Sequence, residues 1–155
     1  MNRPALPAVA AAAAIGLWLA GCASWRTAGP SKLDEAQKLF AAGRFRDAAA
    51  RLNDEAFQQL GSRDAPRAYE LLGQSQERLG KPDAALRTYQ TGVALFPKDL
   101  NLLTELGYLL HHAALDDQAR PIYERILAIH PNNAAAHLGL GETERTLGFF
   151  DRAAW

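Results

Sequence analysis

The sequence predicts an all-α protein, an α-α superhelix built from antiparallel helix hairpins. Three observations lead there. Gly73, Gly107 and Gly141 stand 34 residues apart, and so do Ala85, Ala119 and Ala153, and Leu72, Leu106 and Leu140. Tyr89 is followed by Tyr123, and Pro97 by Pro131, at the same spacing. Inside each period the longer side chains fall at helical intervals, Tyr69, Leu72 and Gln76 in one copy and Leu103, Leu106 and Leu110 in the next. A fixed period in the range of roughly 20–50 residues marks a stacked repeat. One hairpin cannot bury its apolar face alone, so the copies must pack on one another.

Residues 66–99 and 100–133 are the two well-kept copies. In each, helix A carries a Leu-Gly pair (Leu72-Gly73, Leu106-Gly107), and the bare glycine lets helix B come close. Ala85 and Ala119 are small for the same reason on helix B. Tyr89 and Tyr123 fill the space between neighbouring hairpins. Pro97 and Pro131 end helix B, because proline has no N–H to continue the ladder. Asp99 and Asn133 are then placed to cap the following helix A. Asp83, Asp117 and Asp151 suit the positive end of helix B. These residues resemble the tetratricopeptide repeat (TPR) family. Its order of a large apolar residue, Leu-Gly, small residues, an aromatic and a proline is matched by Tyr69, Leu72-Gly73, Gly80, Ala85, Tyr89 and Pro97. It is matched again by Leu103, Leu106-Gly107, Ala114, Ala119, Tyr123 and Pro131. The resemblance implies a TPR solenoid with a concave groove lined by the A helices.

Two weaker copies flank these. Residues 31–64 read as a degenerate repeat, with Ser31 before a helix carrying Leu33, Ala36, Leu39 and Phe40, a turn at 42–45, and a single helix B over 47–60. Glu35-Ala36 stands where the family has Leu-Gly, and the closing proline is missing. Terminal repeats are commonly atypical because they cap the stack. Residues 134–155 read as a truncated repeat that keeps Leu140-Gly141, Gly148 and Ala153. This copy is expected to expose part of its apolar stripe at Leu140 and Leu147, with Phe149, Phe150 and Trp155 folding back over some of it. Fraying or self-association through that end is the expected consequence, unless the chain continues or a partner covers it.

The first 30 residues stand apart. Met1-Asn2-Arg3 is followed by an uncharged run from Pro4 to Trp25, which contains Leu19-Ala20-Gly21-Cys22. A short positive start, an apolar core and small residues make a secretory signal. The ending resembles the bacterial lipobox, which implies a signal peptide over 1–21 and a lipidated Cys22 at the mature N-terminus. A retained transmembrane anchor is the alternative, since the run has the ~20 residues a span needs; Pro4 and Pro7 shorten its helical part. Residues 22–30 form a short tether, in which Trp25 either sits at the headgroup level or lies in water. Ala23 resembles residues that permit transport to the outer membrane, so the expected place is the outer membrane, facing the periplasm, with inner-membrane anchoring as the alternative.

Composition excludes several functions. Lys plus Arg and Asp plus Glu are 17 each, so no basic stripe points to nucleic acid. The lone cysteine permits no internal disulfide and no thiolate metal site. Gly73-Gln74-Ser75-Gln76-Glu77 lacks the second glycine of a nucleophile elbow, and neither a phosphate loop nor a dinucleotide fingerprint is present. No enzyme and no cofactor are expected. The alternative is a metal-binding or hydrolytic protein using His111, His112 and Asp116, although adjacent helical histidines diverge by about 100°.

What remains is a binding surface. In the family, fixed positions of helix A line the groove. Here they fall on Arg67, Glu70, Gln74, Glu77 and Arg78, on Asn101, Thr104, Tyr108, His111 and His112, and on Ala135, Leu138, Glu142, Arg145 and Thr146. Tyr108 is the candidate anchor, since tyrosine is enriched in hot spots. Chaperone-binding members clamp a carboxylate with Lys and Asn; this chain has Glu70, Gln74, Thr104 and Tyr108 there, so that clamp is absent. The layout of lipobox plus repeats resembles the TPR lipoproteins of pilus and secretion machines, the tight-adherence (Flp) pilus assembly lipoproteins of the TadD type first and pilotins of type IV pili next. It implies a scaffold that binds a protein of the cell envelope.

Overall fold

The computed structural model of the protein describes residues 31–148. Among them there are eight helices and no strand: α1 (Lys32–Ala41), α2 (Phe45–Arg51), α3 (Asp54–Gln59), α4 (Ala65–Arg78), α5 (Pro82–Leu95), α6 (Leu100–His112), α7 (Asp116–Ile129) and α8 (Ala134–Thr146). The signal segment 1–21, Cys22, the 22–30 tether with Trp25, and Phe149, Phe150, Asp151, Ala153 and Trp155 lie outside the described residues. No described helix is long and apolar enough to cross a membrane.

The helices pair as hairpins and then stack. α1 packs on α2, α4 on α5 and α6 on α7; α5 meets α6, α7 meets α8, and α2 meets α4. The reason lies in the glycine–tyrosine contact within each strong repeat. A Cβ built on Gly73 would stand 2.3 Å from the ring of Tyr89, and one on Gly107 would stand 2.9 Å from the ring of Tyr123. Each ring therefore lies against the bare backbone of its own helix A. Tyr123 is also pressed against the next hairpin, where a Cβ on Gly139 would meet it at 2.4 Å. Around these rings the main core gathers Ala85, Val93, Leu102, Leu103, Leu106, Leu110, Ala119, Ile126 and Ala136. A second cluster of Leu33, Ala36, Leu52, Ala68 and Leu71 closes the N-terminal end. Tyr69 joins the two, packing 4.4 Å from Phe57 and 6.3 Å from Phe96 between ring centres.

The expected caps form. The Asp99 side chain accepts from the Leu102 N–H at 3.0 Å, and Asn133 accepts from the Ala136 N–H at 2.9 Å. Each satisfies one of the backbone donors that a helix start leaves free. The turn that follows helix A uses a left-handed residue, glycine at 43, 80 and 148 but Ala114 in the second strong repeat, with φ 57°.

The single helix B expected over 47–60 is not what forms. It is broken into α2 and α3, with Leu52 and Asn53 outside both. The Asn53 side chain accepts from the Ala56 N–H at 3.0 Å and starts a new helix. Asparagine offers the backbone this local partner in place of the helical ladder. Leu52 and Ala56 stay buried on either side of the break, so the apolar stripe survives the interruption.

The expectation for α8 also needs adjusting. Leu140 packs against the main core and is partly buried, as is Leu147. The strongly exposed leucine is Leu138, at 64% of its full surface.

Candidate partner-binding groove

The groove residues come from the same faces of α1, α4, α6 and α8. α4 contributes Arg67, Glu70, Gln74, Glu77 and Arg78, α6 contributes Asn101, Thr104, Tyr108, His111 and His112, and α8 contributes Leu138, Glu142 and Arg145. Ala135 and Thr146 on α8 are exposed. Two adjoining clefts form along α4. One, of about 380 Å³, is lined by Phe40, Gln74, Glu77, Arg78 and Glu105. The other, of about 210 Å³, is lined by Gln37, Phe40, Arg67, Glu70, Leu71 and Gln74. Phe40 and Gln74 belong to both and form the ridge between them.

Gln74 is the hub of the polar contacts. Its Nε2 donates to Glu105 Oε1 at 2.8 Å and more loosely to Glu70 Oε1 at 3.4 Å. Glu70 and Glu105 are both partly buried, and burial pushes both carboxyls above their ordinary range. Asp99 adds to the effect at Glu70, while Asn101, Arg67 and Gln74 ease it. At Glu105 Gln74 eases it and the charges of Glu77 and Glu70 add to it. Glu77 is fixed differently: it accepts the Tyr89 hydroxyl at 2.6 Å. Burial and that bond push the Tyr89 hydroxyl far above the usual phenol range. The inter-repeat tyrosine is thus wired to the groove surface. Arg78 lies over the Phe45 ring, its guanidinium carbon 5.4 Å from the ring centre.

Farther along, Tyr108 is half exposed and stacks on His112 with ring centres 3.9 Å apart. His112 Nδ1 is 3.0 Å from the Tyr108 carbonyl oxygen. His111 turns away: its ring is perpendicular to that of His112, with centres 5.7 Å apart. Its Nδ1 is 2.5 Å from Oδ1 of Asp116, which is buried at the start of α7, and its Nε2 is 3.9 Å from Glu142 Oε2 on α8. His111 therefore ties three helices together. Tyr123 lies nearby, its hydroxyl pushed up to about 12 by burial first and then by the charges of Glu142 and Asp116. Among the described residues no three His, Cys, Asp or Glu side chains are gathered to hold a metal ion. His137 Nε2 lies 2.8 Å from the Pro131 carbonyl oxygen, a local link across the turn.

Sequence reasoning missed Gln37, Phe40 and Glu105. The first two belong to the degenerate repeat, whose register is blurred. Glu105 had a signal: it shares its 34-residue register with Leu71 and Gly139, both buried. A carboxylate in that frame is out of place unless it serves the surface.

A family model described as "Tetratricopeptide repeat" matches residues 33–99, 71–134 and 117–155. The chain belongs to the tetratricopeptide repeat family. It is 31% identical over 68 residues to tetratricopeptide repeat protein 8 of Caenorhabditis elegans, a match covering 44% of this chain and 13% of that protein's length. Among solved structures it is similar to the first TPR of Spaghetti (RPAP3) bound to the HSP90 peptide SRMEEVD. That match has a TM-score of 0.65 at 20% identity, covering 76% of this chain and 93% of the other. It is also similar to YrrB, described as a TPR protein with an unusual peptide-binding site, with a TM-score of 0.66 at 18% identity over 79% and 62% of the two chains. At these identities the structural likenesses speak for the fold alone. TPR proteins are typically protein-binding scaffolds.

Proposed function

We propose that this chain is a lipoprotein of the cell envelope whose TPR groove binds another envelope protein, as an assembly or scaffold factor of a pilus or secretion machine. Lipidated Cys22 holds it at the outer membrane with the groove in the periplasm. The observation that carries the binding role is the pair of adjoining clefts along α4, divided by Phe40 and Gln74, with exposed Tyr108 on the next A helix. A concave surface with a few placed polar groups and an aromatic anchor is what a peptide segment needs. Solved relatives of the fold support the same use, one holding an HSP90 peptide and another described by its peptide-binding site. The anchoring part rests on Leu19-Ala20-Gly21-Cys22, and the choice of a pilus of the tight-adherence (TadD) type rests on the joining of lipobox and repeats. Several acyl chains on one cysteine hold firmly where a single chain would not.

Two experiments test it. A photo-crosslinking amino acid at Tyr108 should give a discrete adduct in intact cells, and one at Leu95, exposed on α5, should not. Equal labelling from both sites would remove the groove from the proposal. Cys22→Ser should abolish incorporation of labelled palmitate and release the protein from the outer-membrane fraction; an unchanged fractionation after signal removal would end the lipid assignment. Unaltered assembly of every pilus and secretin in a deletion strain would end the machine assignment.

A further inference from the structure

The N-terminal half of the groove has an unusual charge arrangement. Two carboxylates, Glu70 on α4 and Glu105 on α6, converge on one neutral donor, the Gln74 Nε2. A third, Glu77, lines the cleft of Glu105, Glu70 lines the adjoining one, and one arginine borders each, Arg78 the first and Arg67 the second. Among the described residues no Lys or Arg closes an ion pair with any of the three, although Arg67 lowers the cost at Glu70 from a distance. Both carboxyls titrate above their ordinary range, because burial disfavours their charged forms and neighbouring carboxylates add to it. Gln74 supplies a neutral amide, not a positive charge, between them. Beside them Phe40 presents an aromatic wall to both clefts.

We propose that this half of the groove receives a cationic side chain, Lys or Arg, from an extended segment of the protein partner, seated beside the Gln74-bridged pair Glu70 and Glu105 with its aliphatic stem against Phe40. The inference rests on the partner-binding role proposed above and adds the chemistry of the partner. Long basic side chains lay their methylenes on apolar surface and keep the charged head at polar groups, which fits a wall of Phe40 beside two carboxylates. Charge-assisted hydrogen bonds are the stronger class, and in a partly buried cleft they are less screened than on open surface. An acidic segment would add negative charge beside three carboxylates. Beyond Gln74 the groove turns aromatic and apolar at Tyr108 and exposed Leu138, so the segment that fits is basic at one end and apolar at the other.

The test uses the full chain purified in detergent and end-capped heptapeptide pools. The central residue is fixed in turn as Arg, Lys, Gln, Leu or Glu, and the flanking residues are randomised. Fluorescence anisotropy should show the Arg and Lys pools binding about tenfold more tightly than the Glu pool. The Glu70→Gln, Glu105→Gln double variant should bring the pools to near parity, and so should about 0.5 M salt. The variant removes mutual repulsion, so its melting temperature should not fall. Equal or tighter binding of the Gln, Leu or Glu pools, or an Arg preference that survives the double variant, overturns the proposal. If Tyr108→Ala then weakens all pools alike, the groove still binds peptides and only the cation is wrong. Failure of every pool to bind removes both readings. A dimer in sedimentation that the double variant dissolves makes a second copy of this chain the occupant, and overturns the separate partner.

Discussion

Alanine at the three in-register glycines should give effects of opposite sign, although the sequence treats them as equivalent. At Gly73 the new Cβ would lie 2.3 Å from Tyr89 Cε1 and 2.5 Å from Cζ. The ring cannot easily give way. Tyr89 is fully buried, and its hydroxyl is held by Glu77 at 2.6 Å. Overpacking of this kind costs about 1–3 kcal/mol, and the better helix propensity of alanine returns up to about 1. Gly73→Ala should therefore destabilise by about 1–2 kcal/mol, more if the Glu77 bond breaks. At Gly107 the closest approach to Tyr123 is 2.9 Å, so a smaller loss is expected. At Gly141 a Cβ meets nothing within 4 Å among the described residues. Gly141→Ala should then show the propensity gain alone, up to about 1 kcal/mol. Thermal melts followed by far-UV circular dichroism resolve this, because about 1 kcal/mol moves the midpoint of a domain this size by roughly 4 °C. A Gly73→Ala variant as stable as the parent would show that the ring is not pinned. A Gly141→Ala variant that loses as much as Gly73→Ala would show that something covers α8 at that point.

Other expectations follow from single residues. Ala114 holds φ 57° where the equivalent turns have glycine, a conformation that costs a non-glycine residue about 1–2 kcal/mol, so Ala114→Gly should raise stability by about 0.5–1 kcal/mol in urea titrations after the extra unfolded-state entropy is deducted. Asp99→Ala removes the cap on Leu102 and should cost about 0.5–2 kcal/mol in the same assay, with Asp99→Asn close to the parent. Glu105 titrates above its ordinary 4.5 in the folded chain, so folding favours the protonated form, and its contribution to stability falls as pH rises from about 4.5 through the raised value. Glu105→Gln should accordingly melt higher than the parent at neutral pH and match it below about pH 4.5; a difference that does not shrink in acid would show that the carboxylate charge is not the cause.

The repeat frame was legible because it depends on contacts between equivalent positions. α5 and α7 begin and end 34 residues apart, at Pro82 and Asp116 and at Leu95 and Ile129, and the two Leu-Gly pairs and tyrosines meet as the spacing requires. The break between α2 and α3 was not legible. Ala48, Leu52, Ala56 and Leu60 continue a spacing of four straight across it, and only the competition won by the Asn53 side chain ends the helix. The groove was legible by halves. Family positions found Glu70, Gln74 and Glu77, but the contact from Gln74 to Glu105 joins residues 31 apart, which are not equivalent in the repeat. A period compares like with like, so it is silent about contacts between unlike positions on neighbouring A helices. In the proposed groove a partner would meet those unlike positions. Glu70, Thr104 and Leu138 share one register but differ in chemistry, and so do Leu71, Glu105 and Gly139. Residues that agree between copies build the stack, and those that disagree on the A-helix face give it one end that is acidic and one that is aromatic and apolar. In the groove proposed above, that asymmetry would orient a bound segment, which uniform repeats could not do.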